Sequence, residues 1–519
     1  HIGGLHKGNM QSSNRENSKR IAKNTLLLYV RMIFTMFVAL FTSRIVLETL
    51  GVEDYGIYNV VGGVVVMFSL FTSSLSAAIS RFLTFELGIN NKIRLNLIFS
   101  SSINVLLLFS LALLILIEIV GVWFLNSKLN IPVERMNAAN WVMQCSIIVF
   151  IINLISVPYN AAIISHEKMS AFAYISVLEA IMKLGVAYLL YISLFDKLIT
   201  YALLLIIVSL IIRMVYGIYC NKHFEECKYR RVLDKSLLKE MCSFAGWNML
   251  GSGAYLFNTQ GVNIISNLYF GVSINAARGI ATQIEGVIRQ FVTNFTTAIN
   301  PQITKSYAAG NMEYMFTLVC RGAKYSYFLM FLFVVPFMYE ADIILELWLH
   351  NVPEYTAVFL RLTIWGALFD ILGNATANAA WATGNVQRYY KYVATIGSLV
   401  FPLSLIAFTC GMPPAAAYVI FIVIYILLIF VKLHIIKGLL AFPSIMFFRE
   451  VLSRIFPVTL LSFILPGIFY WTMEESIMRF LLVSVVGVLS TLGCIYYWGL
   501  EVSEKQVVAD KIISMVRKM

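Results

Sequence analysis

Hydrophobic residues along this chain come in long blocks, and the polar residues between them fall in short connections. Fourteen blocks, at 21–49, 55–86, 95–126, 138–164, 170–194, 198–221, 240–269, 273–304, 318–339, 353–381, 389–410, 413–436, 451–472 and 476–499, supply the roughly 20 mainly apolar residues that a helix needs to cross a bilayer. The pattern predicts an all-α polytopic membrane protein with about fourteen transmembrane helices. Composition agrees: 60% of the 519 residues are hydrophobic and 13% charged, and the mean hydropathy is +0.80, far outside the range of a soluble domain.

Charge orients the spans. Most of the 39 Lys and Arg residues lie at the N-terminus, in the C-terminal tail or in the even-numbered connections; only Lys128, Arg135, Lys197 and Arg479 fall in odd-numbered loops. Positive residues in short loops favour the cytoplasm, so both termini are expected there. The formal charge of +12 is accounted for by this bias, and no nucleic-acid partner is needed. Residues 1–24 are polar and basic and the first apolar run is long enough to remain as a span, so a cleavable signal peptide is not expected. The opening HIGGLHKGN, before Met10, is left out of the reading. The seven cysteines show neither a CxxC spacing nor a His partner, which indicates no metal site and no disulfide framework.

The connections are too short for a soluble catalytic domain. The longest are the basic 221–240 and the acidic 339–355, whose Trp348 and apolar spacing suit a membrane surface. The tail from 500 to 519 reads as an amphipathic helix with Val507, Val508, Ile512, Ile513 and Val516 on one side. Sliding the chain by about 220 residues places LGVEDYG (50–56) on FGVSINA (270–276). A slide of 218 places NAAIISHEKM (160–169) on NAAWATGNVQ (378–387). The members of each pair are an even number of spans apart, so they share one orientation in the membrane. The expected organisation is a cytoplasmic segment at 1–20, a six-helix bundle at 21–222 and a basic linker at 223–238. A second six-helix bundle at 239–437, appended helices 13 and 14 at 438–499 and the tail follow.

One span breaks the apolar pattern along its whole length. At 100° per residue Arg278, Thr282, Glu285, Arg289, Thr293, Thr296 and Asn300 of the eighth span fall within about 80° of one another. A charge at mid-bilayer costs at least a few kcal/mol and usually faces protein or a water-filled path, so the stripe is expected to wall a hydrated lumen. Glu285 and Arg289, at i and i+4, can neutralise each other, which leaves Arg278 unexplained. The first span offers Asn24, Arg31, Thr35 and Thr42 on one face, with Arg44 and Glu48 as a separate pair. Asn248, Ser252, Tyr255, Thr259 and Asn263 share a face of the seventh, and Asp370, Asn374 and Asn378 one of the tenth. Arg81, Lys183, Arg213 and Arg361 lie nearer span ends, where a long side chain can reach the interface. Fixed positive charge favours an anionic substrate, since Arg presents a fork suited to phosphate oxygens, while amides and hydroxyls suit a sugar. A Gly-rich phosphate loop, an HExxH and a GxSxG are all lacking.

Fourteen spans as two bundles of six plus two, the opening SKRIAKNTLLLYVRMIFTMFVALFTSRIVLETLGVEDYGIYNVV (18–61) and the crossing ATGNVQRYYKY (382–392) resemble the bacterial polysaccharide flippases. These form a branch of the multidrug/oligosaccharidyl-lipid/polysaccharide (MOP) exporter superfamily, with the lipid II flippase and the multidrug and toxin extrusion (MATE) antiporters. The resemblance implies a MATE-like fold and a flippase, not an enzyme, that carries undecaprenyl-pyrophosphate-linked oligosaccharide repeat units of O-antigen or capsule to the outer leaflet by alternating access. It also implies that Arg31, Arg278 and Arg289 handle the pyrophosphate. Thr282, Glu285, Thr293, Asn248, Asn263, Asp370 and Asn374 are then left for glycan or coupling. Membrane lipids and the polymerase and chain-length proteins of the same pathway are the implied partners. No cofactor is expected, and coupling to a proton or sodium ion is left open, with Glu285 and Asp370 as candidates. A drug or cation antiporter would predict an acidic lumen and usually twelve spans. A lipid II flippase is nearer in substrate and span number, but the opening looks more like the repeat-unit branch. A membrane polymerase or ligase would need a large outer loop with catalytic Arg or His residues.

Overall fold

A computed structural model describes residues 2–66, 69–128, 131–232, 234–270, 272–348, 352–502 and 504–506. Among the described residues the regular structure is helical, without a strand, and follows the expected order of fourteen helices. One long helix, Ile2–Val66, breaks at Gly51, whose φ of 79° is a left-handed value that costs glycine little. The first span, α1, is Arg20–Gly51, and α2 comprises 52–66 and Ser69–Ile89. Then come α3 (Lys92–Ser127), α4 (Val133–Ser165), α5 (Met169–Leu189) and α6 (Lys197–His223). The polar helices α7 (Lys235–Phe270) and α8 (Val272–Ala308) follow. The last six are α9 (Met312–Trp348), α10 (Thr356–Thr383), α11 (Gln387–Thr409), α12 (Ala416–Leu440), α13 (Ser444–Thr472) and α14 (Ile477–Gly499). Eleven of these are long and apolar enough to cross a membrane; α2, α7 and α8 are the others. The tail residues Val507, Val508, Ile512, Ile513 and Val516 lie outside the described residues.

Packing divides the chain into two units, 1–249 with 300–311, and 250–299 with 312–519. In the first, α1 packs on α4 and α5, and α4 also on α2, α3 and α6. An apolar core forms around Val61, Ile117, Leu125, Val142 and Leu198. The turn between α4 and α5 holds Glu167 at a φ of 58°, with a fully buried carboxylate. It accepts from Arg20 (2.9 Å), Lys305 (2.7 Å) and Gln302 (2.5 Å). The C-terminal end of α8 is thereby fixed in this unit. A carboxylate can be buried there because two cations and an amide N–H are directed at its oxygens.

In the second unit α10 lies between α9 and α12, α9 packs on α14, and α13 and α14 pair as a hairpin. Val262, Val400, Phe408, Tyr425 and Leu428 are part of its core. Two sequence expectations change here. The segment read as an outer connection at 339–355 is helical through Trp348, because α9 continues past a break at Glu340. Arg479, read as a loop residue, sits in the first turn of α14. The reason is shared: the Arg479 guanidinium bonds both Glu340 oxygens at 3.0 and 3.1 Å, so the two charges cancel inside a packed helix pair instead of marking a loop.

Candidate functional site

The N-terminal half of the polar stripe of α8 faces a cavity of about 80 Å³ within the second unit. Arg278, Thr282, Glu285 and Arg289 line it together with side chains of α7, α10, α11 and α12. Its two arginines differ sharply. Arg289 is held on both sides, with Nε at 2.5 Å from Glu285 of its own helix and Nη1 at 2.8 Å from Asp370 of α10. The neutralisation foreseen for Glu285 and Arg289 is therefore present, and a second carboxylate completes it. Lys432 of α12 stands nearby, 5% exposed, within electrostatic range of Asp370. Its chain packs against Gly373, where a Cβ would come within 2.6 Å of the ammonium nitrogen and force the lysine to shift. Glu285, Asp370, Arg289 and Lys432 sum to zero charge.

Arg278 has no such partner. It is 8% exposed, its Nε donates to Asn263 Oδ1 at 3.1 Å, and its guanidinium lies 5.0 Å from the centre of the Tyr418 ring. Among the described residues no carboxylate lies within 4.0 Å of it. A single fixed positive charge thus remains in a wall of hydroxyls, one amide, aromatic rings and aliphatic side chains. Such a wall favours an anion, which would take the two terminal guanidinium nitrogens that make no hydrogen bond to the described residues.

The other sequence-nominated residues are distributed differently. Asn263 reaches the cavity through Arg278. The Thr282 hydroxyl bonds back to the carbonyls of Arg278 and Gly279, and the Thr293 hydroxyl to that of Arg289. Thr293 and the half-buried Asn374 are not among the lining residues. Arg31 and Asn248 belong to the first unit, where Arg31 stacks over Phe172 at 4.8 Å and Asn248 is buried. Sequence reading missed Asn258, Thr363, Tyr418 and Lys432. Asn258 lies to the side of the α7 face defined by Tyr255 and Thr259, and Tyr418 and Lys432 sit in a span whose apolar richness gave no periodic signal.

No protein-family model matches the chain. A curated relative is the uncharacterized membrane protein EpsK of Bacillus subtilis strain 168, 21% identical over 284 residues, or 54% of this chain. The match spans 56% of that relative's length. Among solved structures, a MATE protein in its bent conformation superposes with a TM-score of 0.73 at 12% identity, covering 81% of this chain and 95% of that one. An outward-facing multidrug resistance MATE family transporter of the MOP superfamily gives 0.69 at 12% identity, over 81% and 95%. A MOP superfamily transporter from Pyrococcus furiosus, described as having a binding pocket of reverse polarity, gives 0.67 at 12% identity, over 81% and 95%. The chain is thus a multi-pass membrane protein with a MATE-like fold.

Proposed function

We propose that this protein is a flippase that moves undecaprenyl-pyrophosphate-linked oligosaccharide repeat units from the inner to the outer leaflet of a bacterial inner membrane. It works by alternating access, with both termini in the cytoplasm, and supplies assembly of a surface polysaccharide such as O-antigen or capsule. The carrying observation is Arg278, a buried cation with no carboxylate partner among the described residues, in a cavity of a MATE-like fold. A pyrophosphate supplies the missing anion, and a glycan matches the amides and hydroxyls around it. A cationic drug would meet Arg278 unopposed, because Glu285, the acidic residue in the lining, is already bound to Arg289. Arg278 thereby takes the central pyrophosphate role among Arg31, Arg278 and Arg289, while Arg289 is committed to its carboxylates in this conformation.

The test uses proteoliposomes carrying a fluorescent short-chain polyprenyl pyrophosphate oligosaccharide and scores its movement between leaflets. Arg278→Gln should slow translocation about ten- to a hundred-fold, the loss of one charge-assisted contact worth roughly 1.5–3 kcal/mol. Arg278→Lys, which keeps charge without the fork, should be intermediate. Wild-type rates in a well-inserted Arg278→Gln protein would remove the basis for the proposal.

A further inference from the structure

The connection between α6 and α7 is strapped to the first unit. Every fourth residue of α3 from its start, Lys92, Asn96, Ser100 and Asn104, is polar, and each holds the connection in turn. Lys92 Nζ lies 3.0 Å from a Glu225 carboxylate oxygen. The Asn96 amide donates to the Glu226 and Lys228 carbonyls at 2.8 and 2.7 Å, and the Arg230 N–H donates to Ser100 Oγ at 3.0 Å. The Asn104 amide donates to the Val232 carbonyl at 2.9 Å, and its oxygen accepts from the Tyr229 hydroxyl at 2.7 Å. From Lys92 to Asn104 a helix rises about 18 Å, so residues 225–232 lie along α3 over that length. Most of these bonds go to the backbone of the strap, which leaves its basic side chains unused.

The face of α3 that carries the strap shows what those side chains meet. At 100° per residue Leu108, Leu111 and Ile115 fall within about 40° of Asn104, and all three are exposed. An exposed row of leucine and isoleucine on a crossing helix faces acyl chains, so the strap ends where the lipid-facing surface of α3 begins. Its side chains follow that boundary. Glu225 lies at the end farthest from the apolar row; Lys228, Tyr229, Arg230, Arg231 and Val232, all exposed, lie toward it. Tyrosine is enriched at this depth of a membrane. The two carboxylates of the strap are taken elsewhere, Glu225 by Lys92 and Glu226 by His166. Among the described residues no carboxylate lies within 4.0 Å of Lys228, Arg230 or Arg231.

We propose that the strap is a docking site for the headgroup of an anionic phospholipid, in the leaflet on the side to which the distribution of positive charge assigns this connection. Lys228, Arg230 and Arg231 bind the phosphate, and Tyr229 and Val232 lie against the upper acyl chain. Basic clusters beside a crossing helix attract anionic lipid in general; here the ladder on α3 holds three cations at one place on the edge of the lipid-facing surface. The site is separate from the cavity at Arg278 and does not depend on what the protein carries.

The experiment measures the local lipid preference of the full chain in nanodiscs. A bimane is attached at Leu108→Cys, one turn beyond Asn104 on the exposed face, with the exposed Cys242 and Cys410 replaced by serine; the other five cysteines are buried. Its fluorescence is quenched by phosphatidylglycerol or phosphatidylcholine bearing a nitroxide high on the acyl chain, at equal mole fractions. Phosphatidylglycerol should associate about threefold or more tightly than phosphatidylcholine. Lys228→Gln, Arg230→Gln and Arg231→Gln together should bring the two lipids to within about 1.5-fold of each other. Asn96→Ala with Asn104→Ala keeps all three charges but frees the strap, so hydrogen exchange of residues 228–232 should rise while at least half of the preference is lost. Should that variant not fold, the triple variant, which changes only exposed side chains, decides the matter. Equal quenching by the two lipids in the unaltered strap overturns the proposal, as does a preference that survives the triple variant. A preference that survives a freed strap overturns it by showing that diffuse basic charge suffices. Relief of the phosphatidylglycerol quenching by citronellyl pyrophosphate would assign the site to a lipid pyrophosphate and overturn the phospholipid assignment.

Discussion

Replacing Asp370 by Asn takes away one of the two carboxylates that hold Arg289. At 2.8 Å and an effective dielectric of about 20, the gross attraction between the two charges is about 6 kcal/mol. Against this stands the desolvation of both groups, several kcal/mol per ion when buried; here the Asp370 side chain is 12% exposed and that of Arg289 25%. Arg289 also keeps Glu285 at 2.5 Å, so the variant does not strand a bare cation. The net loss of stability is therefore expected at about 1–3 kcal/mol. The charge balance predicts a second effect of opposite benefit. Glu285, Asp370, Arg289 and Lys432 go from zero to a net positive charge, and Arg289 gains a free edge. Asp370→Asn should consequently bind citronellyl pyrophosphate about three- to tenfold more tightly than wild type. Stability is read by SDS-induced unfolding in mixed micelles, as a double-mutant cycle with Arg289→Gln; a coupling of about 1 kcal/mol or more is expected for groups in direct contact. Additive single effects together with unchanged anion affinity would refute the reasoning, by showing that Asp370 does not hold Arg289.

Two further outcomes follow from local geometry. Gly373→Ala would push a Cβ to within 2.6 Å of the Lys432 ammonium and 2.9 Å of its Cδ; it should cost about 1–3 kcal/mol in the same unfolding assay, and Lys432→Ala in the Gly373→Ala background should recover most of it. In the connection after α6, burial pushes the Glu226 carboxyl up, but its hydrogen bond to His166 and neighbouring groups outweigh this and leave it below its ordinary value of 4.5. A carboxylate depressed on folding contributes stability that is full above its unfolded value and is lost as pH falls through the folded one. Hydrogen exchange of residues 224–232 should accordingly rise on acidification below pH 4.5 in the wild type, and Glu226→Gln should exchange fast already at neutral pH.

The fold was legible because the bilayer imposes one length and one composition on every crossing helix, and eleven of the fourteen helices carry that signature directly. The stripe on α8 was legible for a similar reason: Arg278, Glu285 and Arg289 stand out against apolar neighbours at helical spacing. Its electrostatic partition was not, because it depends on which charges meet across helices. Asp370 is 81 residues from Arg289 in sequence, and nothing local distinguishes a carboxylate that will find an arginine from one that will not. The same holds for Glu340 and Arg479, 139 residues apart, whose charges pointed to an outer connection and a loop until their pairing explained how a helix can bury them. Tyr418 and Thr363 were invisible for a different reason. In a span where most residues are apolar, one hydroxyl carries no periodic signal, and its meaning comes only from the cavity it lines.

On the flippase reading proposed above, the two arginines divide the work. Burying an arginine away from water costs several kcal/mol. For Arg278 this is offset by the bond to Asn263, about 1.5–3 kcal/mol for a charged donor, and by the Tyr418 face, about 0.5–2 kcal/mol. The empty site is therefore near balance without a carboxylate. Had an acidic residue been placed against Arg278, an incoming phosphate would first have to break that ion pair, as it must at Arg289. Had the site lacked Asn263 and Tyr418, the uncompensated charge would hold any anion too tightly to release it. Transport requires binding favourable enough to load and weak enough to unload. On that reading, a cation balanced by neutral groups, with a second cation on the same helix balanced by carboxylates, would give an anion position whose strength changes if Arg289 exchanges Asp370 for the cargo.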